Sequence, residues 1–397
     1  MSTHACRPTP HRRPLDFAPS PRSTLGVEWE LALIDRDSLD LRQCAAEVLA
    51  AVGQDPHVHG EMMLNTVELV SGARGTVGQC MEDLAFAFDR VLPVTDPLRV
   101  DLGSAGTHPF ADPLVQKVTD AERYARLVDR TRLWGHQMLI FGTHVHVGVE
   151  DRAKVLPILS ALLTRTAHLQ CLSASSPFWA GADTGYADNR AMMFQQLPTA
   201  GAPEQFESWE QLEAYTGDLI HTGVIEEFSE IRWDVRPSPR LGTIEVRACD
   251  AATNLTELAG IAALTQCLVE HFSRRLDEGR ALELMPDWYV AENKWRSARY
   301  GMEAILIVNA AGEEELVTDT VERMLVELAP VAEDLGCAAE LDGVRATLEA
   351  GASYQRQIAA TGAAGGLKEA AVRLLLAEAR AGRPLRPTEV LASAAPA

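Results

Sequence analysis

The chain has 397 residues, 47% hydrophobic and 23% charged, which is ordinary globular composition with room for a large core. Lys+Arg total 36 against Asp+Glu 56, a formal net charge of −20. That balance excludes general nucleic-acid binding and attachment to an anionic membrane surface, since both need a basic face.

Residues 1–23 are rich in proline and arginine without apolar periodicity, which predicts a disordered tail. No apolar stretch follows Arg7, Arg12 and Arg13, so the start does not read as a secretory signal. In residues 24–34, Val27, Trp29 and Leu31 alternate with Glu28, Glu30 and Ala32, the period of a strand, and a turn at 35–38 predicts a hairpin. Residues 63–70 repeat the pattern, with Val67 and Leu69 against Thr66 and Glu68. Val77, Met81, Leu84, Phe88 and Leu92 then recur at helical spacing, as do Tyr124, Leu127, Val128 and Thr131.

A third strand is predicted within 138–149, where Val145 and Val147 alternate with His144 and His146. Residues 152–172 read as a uniformly apolar helix. Its best run, 155–163, contains Pro157 and falls short of the ~20 apolar residues of a membrane span. Residues 231–236 and 243–248 predict two more strands joined by a tight connection. Ile231, Trp233 and Val235 oppose Arg232, Asp234 and Arg236; Ile244 and Val246 oppose Glu245 and Arg247. Asn254 and Glu257 resemble a capping box, after which almost everything reads as helix and leaves room for a homodimer. Strands and helices mix irregularly, so the expectation is α+β with a mainly antiparallel sheet, in a single domain over 24–391 with a flexible end at 392–397. The seven cysteines form no CxxC, which fits a reducing cytoplasm.

Side chains alternate across a strand, so these strands put apolar residues on one face and ionisable ones on the other. The second set is Glu28, Glu30, Glu68, His144, His146, Arg232, Asp234, Arg236, Glu245 and Arg247. A merely solvated face favours Lys, Thr and Ser, whereas this one has paired glutamates, histidines and no lysine. Two carboxylates on one strand face repel, and a divalent cation relieves that repulsion; hard oxygen ligands favour Mg2+ or Mn2+. Guanidiniums suit phosphate or carboxylate. Together these are the groups a metal-bridged polyphosphate requires. The chain has neither GxxxxGK[ST], GxGxxG nor GxSxG, so a nucleotide would bind on the sheet face itself. The serines at 173–176 read as a helix end and turn rather than a nucleophile.

Leu25-Gly26-Val27-Glu28-Trp29-Glu30, Glu68-Leu69-Val70-Ser71-Gly72 and Gly142-Thr143-His144-Val145-His146-Val147-Gly148 resemble the acidic and HVHVG strands of carboxylate–amine ligases of the glutamate–cysteine ligase type 2 group. The block over 173–201, Trp233-Asp234-Val235-Arg236-Pro237, Glu245-Val246-Arg247 and Glu292-Asn293-Lys294-Trp295-Arg296 are similar to its later blocks, in order along the chain. The resemblance implies a glutamine-synthetase-like fold, a curved antiparallel sheet with helices on one face and ATP and metal ions on the other. It implies ATP-dependent joining of a carboxylate to an amine, glutamate and cysteine giving γ-glutamylcysteine, ADP and phosphate through an acyl phosphate. By the same likeness Glu28, Glu30, Glu68 and Glu245 would hold metal with His144 or His146, and Arg247 would clamp the transferring phosphoryl group. Arg232 and Arg236 would hold substrate carboxylate or phosphate, and Asn293, Lys294, Arg296 and Arg299 could reach a ligand. Trp29 departs from the acidic residue common between the two glutamates and is expected on the apolar face. Two other classes stay open: a metal-dependent hydrolase and an inactive nucleotide- or amino-acid-binding protein.

Overall fold

Alternation along residues 25–35 sets the architecture. They form strand β1 (Leu25–Asp35), in which Leu25, Val27, Trp29 and Leu31 are buried while Glu28 and Glu30 are half-buried on the other side. In the computed structural model, which describes residues 14–393, β1 lies inside a seven-stranded open sheet. Its other members are β2 (Val58–Gly60), β3 (Thr66–Val70), β4 (Val100–Gly103), β5 (Gly142–Gly148), β6 (Val235–Ser238) and β7 (Thr243–Asp250). The order is β2-β3-β1-β5-β7-β6, with β4 also paired to β1, and every pairing is antiparallel.

Helices α1 (Val77–Thr95), α2 (Arg152–Ser173) and α3 (Leu255–Asp277) pack on the apolar face. Trp29 anchors this layer. Its ring stacks on Phe88 of α1 with centroids 5.9 Å apart, and its indole N–H donates to the Ala252 carbonyl at 2.7 Å. The departure at residue 29 therefore leaves the opposite face untouched, as its place in the alternation predicts. Helix α2 is long and apolar enough to cross a membrane, which the sequence reading missed; nearly all of it is buried among the other elements, so it is a core helix here.

The register differs from simple alternation at one point. Thr143 pairs with Cys249 but Val145 pairs with Val246, so Arg247 and Ala248 together oppose His144 in a β-bulge. Beyond the bulge Cys249 joins the core and Asp250 faces the side that carries Glu245 and Arg247.

Several expectations are corrected. The turn after β1 forms, with Asp35 accepting from the Asp37 and Ser38 amides, but only an isolated Ile34–Leu41 bridge follows and β4 takes the place of a hairpin partner. The strand expected from 231 begins at Val235, because Asp234 donates its amide to Gly201 and Arg232 donates its own to the Thr199 hydroxyl. Of the predicted N-terminal tail, residues 1–13 lie outside the described residues, as do 394–397 at the other end. Residues 14–23 are tied down. The Leu15 carbonyl accepts from the Trp209 indole, Ala18 donates to Pro239, and Arg22 pairs with Glu270 at 2.8 Å.

Behind the sheet a second polar cluster is buried. Helices α4 (Ser353–Ala363) and α5 (Glu369–Ala381) meet α3 where Arg356 lies between Glu257 at 2.7 Å and Glu378 at 2.7 Å. Thr253 and Asn254 donate to the same carboxylates, at 2.6 Å to Glu378 and 2.7 Å to Glu257.

Candidate active site

The antiparallel register brings the ionisable faces of five strands into one row. Glu30 stands opposite Glu68, Glu28 opposite His144, His146 opposite Glu245, and Glu245 opposite Arg236. Glu28, Glu30, Glu68, His144 and Arg236 of this row line a cleft of about 790 Å³, and His146 and Glu245 are buried beside them. One Glu28 oxygen meets His144 Nδ1 at 2.7 Å and the other meets His146 Nε2 at 3.3 Å. Glu245 sits 3.7 Å from His146 and accepts from Arg236 at 2.6 Å and from Arg247. Glu30 accepts the Gly142 amide at 2.6 Å.

Burial and crowding divide the carboxylates into two kinds. At one end burial alone would raise Glu28, but hydrogen bonds from His144 and His146 outweigh it and hold its carboxyl well below the ordinary range. Glu245 is likewise held down against burial by Arg247, His146 and Arg236. At the other end burial and neighbouring carboxylates win. Glu30 is pushed up to about 8 by burial and Glu61, and Glu68 up to about 10 by burial, Glu28 and Glu61. Burial and Arg247 push His144 down to about 4, while Glu245 and Glu28 overcome burial and raise His146.

Three sets of donor atoms each fall within 4.8 Å of one another: Glu28, His146 and Glu245; Glu28, Glu68 and His144; and Glu30, Glu61 and Glu68. They share Glu28 and Glu68 and so form a chain along the cleft. His144 Nε2 is buried without a hydrogen-bond partner, His146 Nε2 has only its long contacts to Glu28 and Glu245, and burial with neighbouring carboxylates pushes the carboxyls of Glu30 and Glu68 up. Unsatisfied donor atoms beside crowded carboxylates fit hard divalent cations, Mg2+ or Mn2+, with oxygen ligands and an imidazole.

Comparison with known proteins places this row in context. The chain matches the glutamate–cysteine ligase family 2 (GCS2) over residues 24–374. The protein belongs to that family. It is 54% identical over 353 residues to a provisionally named glutamate–cysteine ligase 2-2 of Paenarthrobacter aurescens, covering 86% of this chain and 92% of the relative. It is 52% identical over 378 residues to a similarly named chain of Arthrobacter, covering 93% and 99%. In fold it is similar to the crystal structure of Francisella tularensis glutamate–cysteine ligase in complex with AMP (TM-score 0.67, 13% identity, 93% of this chain and 91% of that one). It is also similar to a bifunctional glutathione synthetase from Pasteurella multocida (TM-score 0.62, 16% identity, 90% and 52%).

Not every residue assigned by family likeness reaches the cleft of this glutamate–cysteine ligase family member. Arg232 lines it, with its guanidinium pushed down to about 10 by burial. Arg236 also lines it, yet its other donors are spent on the Ser229 and Ile231 carbonyls, so it fixes Glu245 in place. Asn293 and Arg296 are not among the residues that line the cleft. The Asn293 amide is consumed by the Ile307 backbone on both sides, and Arg296 pairs with Glu292 at 2.8 Å and Glu314 at 2.6 Å, away from the cleft. Lys294 closes on Asp234 at 2.6 Å, and Arg299 bonds the Gly185 carbonyl. These four hold a helix against its neighbours.

Two site residues escaped the sequence reading. Glu61 lies in the irregular link between β2 and β3, where no periodicity marks it. Arg190 begins the short helix Asn189–Phe194 inside the 173–201 block, the most distinctive stretch of the resemblance, which was its available signal.

Proposed function

We propose that the protein is an ATP-dependent carboxylate–amine ligase that joins the γ-carboxylate of glutamate to the amine of cysteine, releasing ADP and phosphate, in the cytoplasm. The observation that carries this reading is the chain of three overlapping donor sets, on one sheet face and the adjoining β2–β3 link, with Arg236 and Arg247 in contact with Glu245. A polyphosphate needs such a surface, and family membership supports the substrates. Six cysteines in the described residues are free, in keeping with a reducing compartment.

The substrate carboxylate takes the γ-phosphoryl group of ATP to give an acyl phosphate, and the amine then displaces phosphate. Divalent cations would supply neutralisation of the phosphate charge. Glu28, Glu30, Glu61, Glu68, Glu245 and one imidazole would hold them. Arg247 supplies a fixed positive charge where charge moves between oxygens, and Glu245 and the Glu28 carboxylate keep that guanidinium charged against burial. Arg236 and the bulge at 247–248 aim the two groups without rearrangement during the reaction.

The test is ADP release with Mg–ATP over a panel of carboxylates and amines, with the product identified by mass. Release that needs both organic substrates, with a product of the joined mass, is expected. Substrate hydrolysis without ATP would replace this reading with a hydrolase, and nucleotide binding without ADP release for any pair would replace it with a binding protein.

A further inference from the structure

His144 and His146 lie on the same face of β5, and their rings are held on different terms. His144 Nδ1 meets the Glu28 carboxylate at 2.7 Å. An ionised carboxylate only accepts, so this ring keeps its proton on Nδ1. His146 Nδ1 lies instead 3.0 Å from the hydroxyl of Thr243. Its Nε2 faces Glu28 at 3.3 Å and Glu245 at 3.7 Å, and these three residues form one of the donor sets of the cleft. The side chain that fixes this ring is neutral, although carboxylates lie close by.

A hydroxyl donates and accepts through one atom. With the ring proton on Nε2, facing the two carboxylates, the Thr243 hydroxyl donates to Nδ1. With the lone pair on Nε2, as a bound cation requires, the proton stands on Nδ1 and the same hydroxyl accepts it. The ring keeps its place in both forms. A carbonyl or a carboxylate in the position of Thr243 would fix only one of them.

Thr243 is itself held on several sides. It is buried, opens β7, and pairs with Gly148 of β5 and Ser238 of β6. The turn before it is clamped by the segment 14–23, which precedes the stretch matched by the family. The Ala18 amide donates to the Pro239 carbonyl at 2.9 Å, and the Ser20 hydroxyl donates to the Leu241 carbonyl at 2.6 Å. Gly242 has a φ of +66°, and a Cβ there would stand 1.8 Å from the Ala18 carbonyl oxygen, so only glycine lets the segment pass. The Gly242 carbonyl accepts from the Val149 amide at 2.9 Å. We infer that Thr243 is a positioning residue for the reaction: it holds the His146 ring so that Nε2 stays aimed at Glu28 and Glu245, ready to serve as a metal ligand. This deepens the ligase reading and rests on it for the use of the cleft as a metal centre.

The experiment uses the full chain, isotope-labelled in its histidine nitrogens, with Mn2+ alone as the probe. Calorimetry gives the affinity, and spin-echo spectroscopy of samples along the titration gives the coupling of histidine nitrogen to the bound ion. Wild type is expected to show that coupling and His146→Asn to lose it. Thr243→Val keeps the shape and removes the hydroxyl. It is expected to weaken Mn2+ binding by about 10- to 100-fold and to diminish the histidine coupling. Thr243→Ser returns the hydroxyl and is expected to bind within about threefold of wild type with the coupling restored. Thr243→Ala carries the comparison if the valine variant does not fold. Coupling undiminished in His146→Asn or in Thr243→Val, unchanged Mn2+ affinity in Thr243→Val, or a serine variant as impaired as the valine one would each overturn the inference. The expected Mn2+ pattern without ADP release for any substrate pair would overturn the ligase reading and leave the role of Thr243 standing.

Discussion

Arg356 and the Glu28–Glu245 row are both buried clusters of charge, and they are assembled on opposite terms. Around Arg356 the bonding closes. Its Nε and both terminal nitrogens meet Glu257 and Glu378, Thr253 and Asn254 fill the remaining carboxylate positions, and the Leu385 amide completes Glu378. No atom of this group is left without a partner. In the cleft the bonding stays open. Two carboxyls are pushed far up by burial and neighbouring carboxylates, and His144 Nε2, Arg190 Nε and Arg247 Nε have no partner. The contrast separates burial that serves folding from burial that waits for a ligand. Charge inside a protein is no sign of function on its own; unmatched charge is.

The largest effect should come from opening the closed cluster. Arg356→Met leaves Glu257 and Glu378 buried without their cation and is expected to cost about 3–5 kcal/mol of stability. Replacing all three charged residues by apolar ones of similar volume should recover most of that loss in urea unfolding. A single variant as stable as wild type would break the comparison. In the cleft the balance reverses. Glu28→Gln should cut ADP release by about 10²- to 10³-fold. It removes hydrogen bonds that hold Glu28 ionised, so stability should fall by only about 1–3 kcal/mol. Wild-type turnover in folded Glu28→Gln would remove Glu28 from the metal set.

The open cluster should also respond to pH and metal together. In the metal-free protein Glu68 and Glu30 keep their protons up to about 10 and about 8, while in the unfolded chain they lose them near 4.5. Raised carboxyls of this kind stabilise the fold less as pH climbs, whereas histidines pushed down by burial, such as His144, His108 and His168, act the other way below their ordinary 6.5, so the melting temperature in EDTA should fall from about pH 7 upward. Glu28 and Glu245 are held down and act only at acid pH, so they do not offset this. Mg2+ displaces the protons, and its stabilisation should therefore be larger near pH 8.5 than near pH 6. A gain equal at both values would count against crowded carboxylates as the metal site. The smallest effect is expected at Arg296, whose pairs lie outside the cleft. Arg296→Gln should shift stability by less than about 1 kcal/mol and leave the KM for ATP unchanged. A raised KM would return this helix to the binding site.

The floor of the cleft was legible because a strand repeats every two residues. Glu28 and Glu30, His144 and His146, and Glu245 and Arg247 could be assigned to one face before any contact was known. Glu61 and Arg190 were hidden for the complementary reason. They sit in a link and at the start of a six-residue helix, where direction depends on distant partners such as Asp250 and Gly142. The docked segment 14–23 was hidden likewise, since Leu15 bonds to residues nearly two hundred positions away. Asn293 and Arg296 stand outside the cleft, and a polar residue on a helix carries no mark that tells a ligand from a backbone anchor. The small strands β2 and β4 were too short to show any alternation.

The two-against-one pairing at Arg247 and Ala248 works as a change of phase within one strand. Counting by twos from Glu245 would put Cys249 on the side of the cleft and turn Asp250 toward the core. The added residue exchanges them. Deleting Ala248 would therefore do more than shorten a strand: it would turn a thiol toward the cleft and break the Asp250–Ser176 contact that seats Arg190.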